Sequence, residues 1–147
     1  FNFEEYFMGF ASGAVEAYLA GLPYLLSHFV VAIIILLVGV VIQVKVTPIN
    51  ENKLIQSGNI AASISLAGAF LALSIPLAAS LTVSISLVSI LIWGVTAIII
   101  QLICDRLATI YVSNVYEKID NGEIAPAIYL VGIKLSVAAI NSAVISS

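Results

Sequence analysis

Lys134 is the side chain whose chemistry is hardest to reconcile with its place in the sequence. It lies eleven residues into an apolar stretch that begins at Ile124 and carries no other charge. A charge held at mid-membrane costs from about 3 to above 10 kcal/mol, and is usually paired or functional. Asn141 follows seven residues later, on the same face of a helix, with Ser142 beside it. No carboxylate lies within the core of an apolar stretch, so an internal ion pair is not expected unless Glu16 or a partner supplies the acid. Three roles stay open for Lys134. It lines a polar path, it pairs with an acid on a neighbouring subunit or another protein, or it snorkels or sits neutral. Gln43 and Gln101 stand near the same end of two apolar stretches. They suit interhelical hydrogen bonds worth about 1 kcal/mol each, or a pair of pore groups.

The remaining reactive types are isolated. His28 has no Cys, Asp or Glu at ligand spacing, which makes it a poor metal ligand. Cys104 is the single cysteine, so no intramolecular disulfide forms, and the adjacent Asp105 disfavours its thiolate. The serines of the central stretch, from Ser63 to Ser89, are expected to bond back to their own helix carbonyls. There is no phosphate loop, nucleophile elbow, metal quartet or haem motif. No catalytic residue, metal or cofactor is therefore expected. With a net charge of −3 and no basic run, nucleic acid is not an expected partner.

These residues are positioned by apolar helices. The sequence is 62% hydrophobic and 9% charged, with a mean hydropathy of +1.19. A soluble domain is roughly 25% charged. No charge occurs from Ala17 to Val44, nor from Leu54 to Cys104. A span needs roughly 20 apolar residues. The first interval holds one span, about Leu22–Val44. The second holds two, about Ile60–Ala79 and Ser84–Cys104, joined by a turn at Leu81–Ser86. The tail holds a fourth, about Ile124–Ser142. The third is expected to continue as an amphipathic helix, since Leu107, Tyr111, Val115 and Ile119 fall four apart.

Residues 1–21 form a separate segment. Phe1, Phe3, Tyr6, Phe7 and Phe10 crowd its start, as at a water–lipid boundary. Gly9, Gly13, Ala17 and Gly21 recur every fourth residue and make a small-residue ridge suited to close helix contact. A short interfacial helix is expected here, ended by Pro23, which then starts the first span.

The chain also repeats itself. "NKLIQSGNIAASISLAG", starting at Asn52, is answered by "EKIDNGEIAPAIYLVG", starting at Glu117. Setting Gly58 on Gly122 aligns Ile55 with Ile119, Ala61 with Ala125, Leu66 with Leu130 and Gly68 with Gly132, all 64 residues apart. Asn59 and Asn121 stand where each can cap the following helix. The pattern predicts two tandem helical hairpins, residues 22–80 and 81–147, facing the same way and related by an axis along the membrane normal. Lys45 and Lys53 flank the first connector, and Arg106 and Lys118 the other. Positive loops stay cytoplasmic, so connectors 45–58 and 105–122 face inward and both termini face the periplasm. The expected fold is an all-α integral membrane protein of four spans with an N-terminal interfacial helix.

Thr47-Pro48-Ile49-Asn50-Glu51, Leu54-Ile55, Gly58-Asn59, Ala61-Ala62, Gly68 and Pro76-Leu77 resemble the domain of unknown function 350 family of bacterial inner-membrane proteins. So do Trp93-Gly94, Gln101-Leu102, Gly122, Ala125, Ala127 and Asn141. The resemblance covers about residues 30–145. It implies a duplicated two-span unit and an inner-membrane location, and no activity. The chain departs from the pattern at Lys134, where a small apolar residue is expected, at Asn141-Ser142-Ala143, and in its extended N-terminal segment. The function expected is a non-enzymatic accessory or structural subunit, acting through helix contacts in a homo-oligomer or a larger membrane complex. The alternative is an oligomeric channel or transporter for a small solute or anion, with Gln43, Gln101, Lys134 and Asn141 on its path. An intramembrane enzyme ranks last, because Lys134 alone would have to serve it.

Overall fold

The computed structural model describes residues 2–84 and 86–147, with the side chains of Phe3 and Tyr6 left out. Phe1, those two side chains and Ile85 belong to the expected aromatic start and the Leu81–Ser86 turn, and lie outside the described residues. Six helices follow one another: α1 (Phe3–Val46), α2 (Glu51–Gln56), α3 (Ile60–Val83), α4 (Leu87–Tyr111), α5 (Val115–Asp120) and α6 (Ile124–Ile145). Among the described residues there is no strand. Four helices are long and apolar enough to cross a membrane: α1 from Phe7, α3, α4 and α6.

Turn chemistry sets the helix ends. Thr47 leaves α1 in an extended conformation, as a residue before proline must, and its hydroxyl donates to the Gln43 carbonyl at 2.9 Å. Asn50 caps α2 by accepting from the Lys53 N–H. Gly58 ends α2 with φ at +85°, and Gly122 ends α5 with φ at +84°. At both, the glycine N–H reaches the carbonyl three residues back, Ile55 or Ile119. The next N–H reaches five back, from Asn59 to Leu54 and from Glu123 to Lys118. This pair of bonds closes a helix only if its glycine position is left-handed. The same bonds therefore recur 64 residues apart, and α3 and α6 start at Ile60 and Ile124.

Three expectations about elements need correction. First, Pro23 does not break the chain, and residues 3–21 run on into the first span as one helix. Pro23 lies inside α1, which is 44 residues long. A proline removes one backbone bond, and an apolar helix of this length keeps its others. Second, α4 and α5 are not one amphipathic helix. Asn114 turns left-handed at φ 57° between them. Val115 and Ile119 are buried, while Leu107 and Tyr111 are exposed. Third, Asn121 is the C-cap of α5, and Glu123 precedes α6 without a side-chain cap bond. Asn59 does cap α3, accepting from the Ala62 N–H at 2.9 Å. Its amide also donates to the carbonyls of Ile119 and Asp120, tying the start of α3 to the end of α5.

α3 packs most extensively on α6, and α3 and α4 also meet α1. The α3–α6 seam depends on Gly68, where any Cβ would overlap the Val131 side chain. Two apolar layers result. Near the connectors, Ala61, Ala62, Ala108, Val115, Ile119, Ala127 and Leu130 pack together. Toward the other end, Ala32, Ile35, Leu77 and Ile90 do so. α1 alone leaves the bundle. From Gly9 to Leu26 every residue except Leu22 is exposed.

Candidate functional site

Between the two apolar layers lies a polar one, built by five helices. On α4, Gln101 and Asp105 fall between Ile90 and Ala108. On α3, Ser65 falls between Ala62 and Leu77. Gln43 comes from the last turns of α1, Glu51 from the first of α2, and Lys134 from α6. All six are buried, with Lys134 2% exposed, Glu51 3% and Asp105 6%.

Lys134 Nζ stands 3.2 Å from Asp105 Oδ1, an ion pair off the line of a straight hydrogen bond. Gln43 Nε2 donates to the other oxygen, Asp105 Oδ2. The expectation that Lys134 lacks an acid within its own chain is therefore wrong. Two geometric facts explain the pairing. Asp105 ends the charge-free interval, which made it look like a lipid-edge residue, but α4 runs six residues further, to Tyr111. In addition, a helical side chain leans toward its own helix N-terminus. Lys134 leans back toward the connector end of α6, where Asp105 waits. It snorkels, but onto an internal carboxylate.

Gln101 Nε2 donates to the carbonyls of Ala72 at 3.2 Å and of Lys134 at 3.4 Å, joining α4 to α3 and α6. Both glutamines thus bond across helices. Their partners differ, since Gln43 serves a carboxylate and Gln101 two backbone oxygens. Asn141 is buried on the Lys134 face, one layer away, and its Nδ2 has no partner. The small-residue ridge takes no part in the site. Gly9, Gly13, Ala17 and Gly21 are exposed on α1, with open space over each glycine. Gly58 and Gly122 serve as the turn glycines described above.

Two acids were not anticipated as site residues. Asp105 had a signal in its register: Gly94, Ala97, Gln101, Asp105 and Ala108 repeat at three- and four-residue steps and line the buried face of α4. Glu51, in the Thr47–Glu51 turn, accepts from the Ser65 hydroxyl at 2.9 Å. Ser65 thus departs from the expected back-bonding, which Ser63, Ser74 and Ser80 do show. Burial pushes the Glu51 carboxyl above its ordinary range. The Ser65 donor and Lys134 oppose this, and Asp105 adds to it. Burial likewise raises the Tyr116 phenol on α5, with Asp105 and Glu51 adding to the effect. Among the described residues no group of three metal-ligating side chains comes together. His28 Nδ1 meets the Tyr24 carbonyl of its own helix at 2.9 Å. Cys104 is buried beside an apolar groove of about 310 Å³, lined among others by Ile103, Leu107, Tyr111 and Val137.

Fold and site define a small, all-helical membrane-spanning protein whose polar groups form an enclosed layer. The chain belongs to the family described as Domain of Unknown Function (DUF350), which matches residues 17–145. It is similar to the UPF0719 inner membrane protein YjfL of Escherichia coli K12, with 30% identity over 104 residues, 71% of this chain and 79% of the relative. The protein of the same name from E. coli O157:H7 matches to the same extent. No solved structure matches.

Proposed function

We propose that this chain is a non-enzymatic subunit of the bacterial inner membrane that works through helix–helix contacts, as a homo-oligomer or in a larger membrane complex. The observation that carries this reading is the bare half of α1. At about 1.5 Å per residue, α1 is about 66 Å long, against a hydrocarbon core of about 30 Å. Among its described side chains the first buried one is His28. Before it, Met8, Phe10, Val15 and Leu19 stand exposed beside the ridge of Gly9, Gly13, Ala17 and Gly21. A ridge of this kind lets two helices approach closely. Gly13 is open on its outer side, so a larger residue there disturbs a partner and not the chain itself. The inner-membrane assignment draws on the UPF0719 relative.

Two architectural readings belong to the same proposal. The recurrence of the glycine turn and of its backbone bonds at a 64-residue interval supports a chain made of two hairpins facing alike. Lys45, Lys53, Arg106 and Lys118 favour a cytoplasmic position for both connectors and a periplasmic one for both termini. The transport alternative loses its main support, since Lys134 is taken up by Asp105 of the same chain. The test is Gly13→Leu. Oligomer size in mild detergent, read by light scattering, is expected to fall while membrane insertion stays intact. Unchanged size would discard the ridge as an interface.

A further inference from the structure

We infer that the Glu51–Asp105–Lys134 cluster is a proton-binding site, in which the Glu51 carboxyl holds one exchangeable proton reached from the connector side. Two carboxylates and one ammonium, from α2, α4 and α6, are enclosed together. With both acids ionised the enclosed cluster carries one net negative charge, which a low-dielectric interior disfavours strongly. One bound proton restores neutrality.

The proton belongs to Glu51 and not to Asp105. Burial disfavours the charge on both acids, but Asp105 has the ammonium at 3.2 Å and the Gln43 amide as donor, both of which favour its charged form. Glu51 has one neutral donor, the Ser65 hydroxyl, on Oε1. Oε2 is the free oxygen, and a proton from solvent water binds there. The charged and titratable groups around Glu51 agree with this. Asp105 on α4 raises its proton affinity, while Lys134 on α6 lowers it without overcoming burial. Tyr116 on α5 is itself held protonated by burial. Arg106 acts on Asp105 and Tyr116.

A cavity of about 10 Å³, room for roughly one water, touches Gln43, Thr47, Pro48, Asp105, Arg106 and Tyr116. It lies at the connectors. On the other side of the cluster stands the apolar layer of Ile35, Leu77 and Ile90. The cavity adjoins Asp105 and Gln43 rather than Glu51 itself, which places the proton's route on the connector side of the cluster.

The test uses the full chain in lipid nanodiscs, titrated with acid and base and read by infrared difference spectroscopy. A protonated-carboxyl band at neutral pH is expected in the wild type and absent in Glu51→Gln. Asp105→Asn leaves one acid facing one ammonium, so Glu51 ionises and the band is lost there too. Ser65→Ala removes the donor to the charged form and moves the Glu51 titration to higher pH. Thermal stability gives an independent reading. A carboxyl whose folded pKa is raised stabilises fully below its unfolded value, about 4.5, and loses that contribution as pH rises through the folded one. The wild type is expected to lose melting temperature over that window, and Glu51→Gln, which mimics the protonated form, to show a flatter profile. No band at neutral pH in the wild type, or the same band in Glu51→Gln, overturns the proposal. So does a band that sodium removes at constant pH, which would make the ligand a metal cation.

Discussion

Replacing Lys134 by methionine keeps most of the side chain's length and removes its charge. Lys134 is 2% exposed and its partner Asp105 6%, so the pair stands out of bulk water. Asp105 would keep only the Gln43 amide on Oδ2. Breaking a buried pair by removing one partner costs about 3–5 kcal/mol, roughly 10²- to 10⁴-fold in the folding equilibrium. Removing both charges costs far less, because no unpaired charge remains. The double variant Lys134→Met/Asp105→Asn is therefore expected within about 1 kcal/mol of wild type. The assay is unfolding of the micelle-bound protein by denaturing detergent, followed by far-UV circular dichroism and by the fluorescence of Trp93, the single tryptophan. Asp105→Asn alone should cost less than Lys134→Met alone, because Glu51 can ionise and take over as the partner of Lys134. The reasoning fails if Lys134→Met lies within about 1 kcal/mol of wild type and its effect simply adds to that of Asp105→Asn.

Gly68→Ala drives a Cβ into the Val131 side chain on the α3–α6 seam. It should cost about 1–3 kcal/mol in the same unfolding assay, with Gly68→Ala/Val131→Ala less damaged than the sum of the two singles. Asn59→Ala removes the cap of α3 and both bonds to the end of α5. A loss of about 1–2 kcal/mol is expected, with faster amide exchange at Ala62 than in the wild type.

The charge-free intervals placed α3 and the start of α4 within a few residues, because long uncharged runs have one stable form in lipid, a helix with all its backbone bonds internal. The starts at Ile60 and Ile124 were legible from Gly58 and Gly122, since a left-handed turn residue marks a helix end locally. What escaped was decided by distant packing. Pro23 has the local chemistry of a helix start, yet α1 absorbs it. Asp105 and Glu51 sit at the edges of apolar runs, where a charge normally meets water. Only the facing helices decide whether such a charge turns out or in. The four- and three-residue spacing of Asp105 with Gln101 and Ala108 carried that information, but hydropathy along the chain hides it.

The polar layer also answers a packing problem that the α3–α6 seam creates. Ala61, Ala62, Gly68, Ala69 and Ala72 give α3 a smooth inner face, and Ala127 and Ala138 do the same for α6. Small residues allow close approach but offer few knobs to fix how far one helix slides past another. Lipid supplies no opposing force, since a one-turn slip exchanges apolar contact for apolar contact. Directional bonds supply it. Gln101 holds the carbonyls of Ala72 and Lys134 at once, so α3 and α6 must keep one relative height for both bonds to form. The Lys134–Asp105 pair fixes the height of α6 against α4, and Gln43 that of α1 against α4. Buried charges add little net stability compared with apolar substitutes, but an unpaired one is severe, and that asymmetry penalises every wrong register. The ion pair therefore acts as a device of specificity.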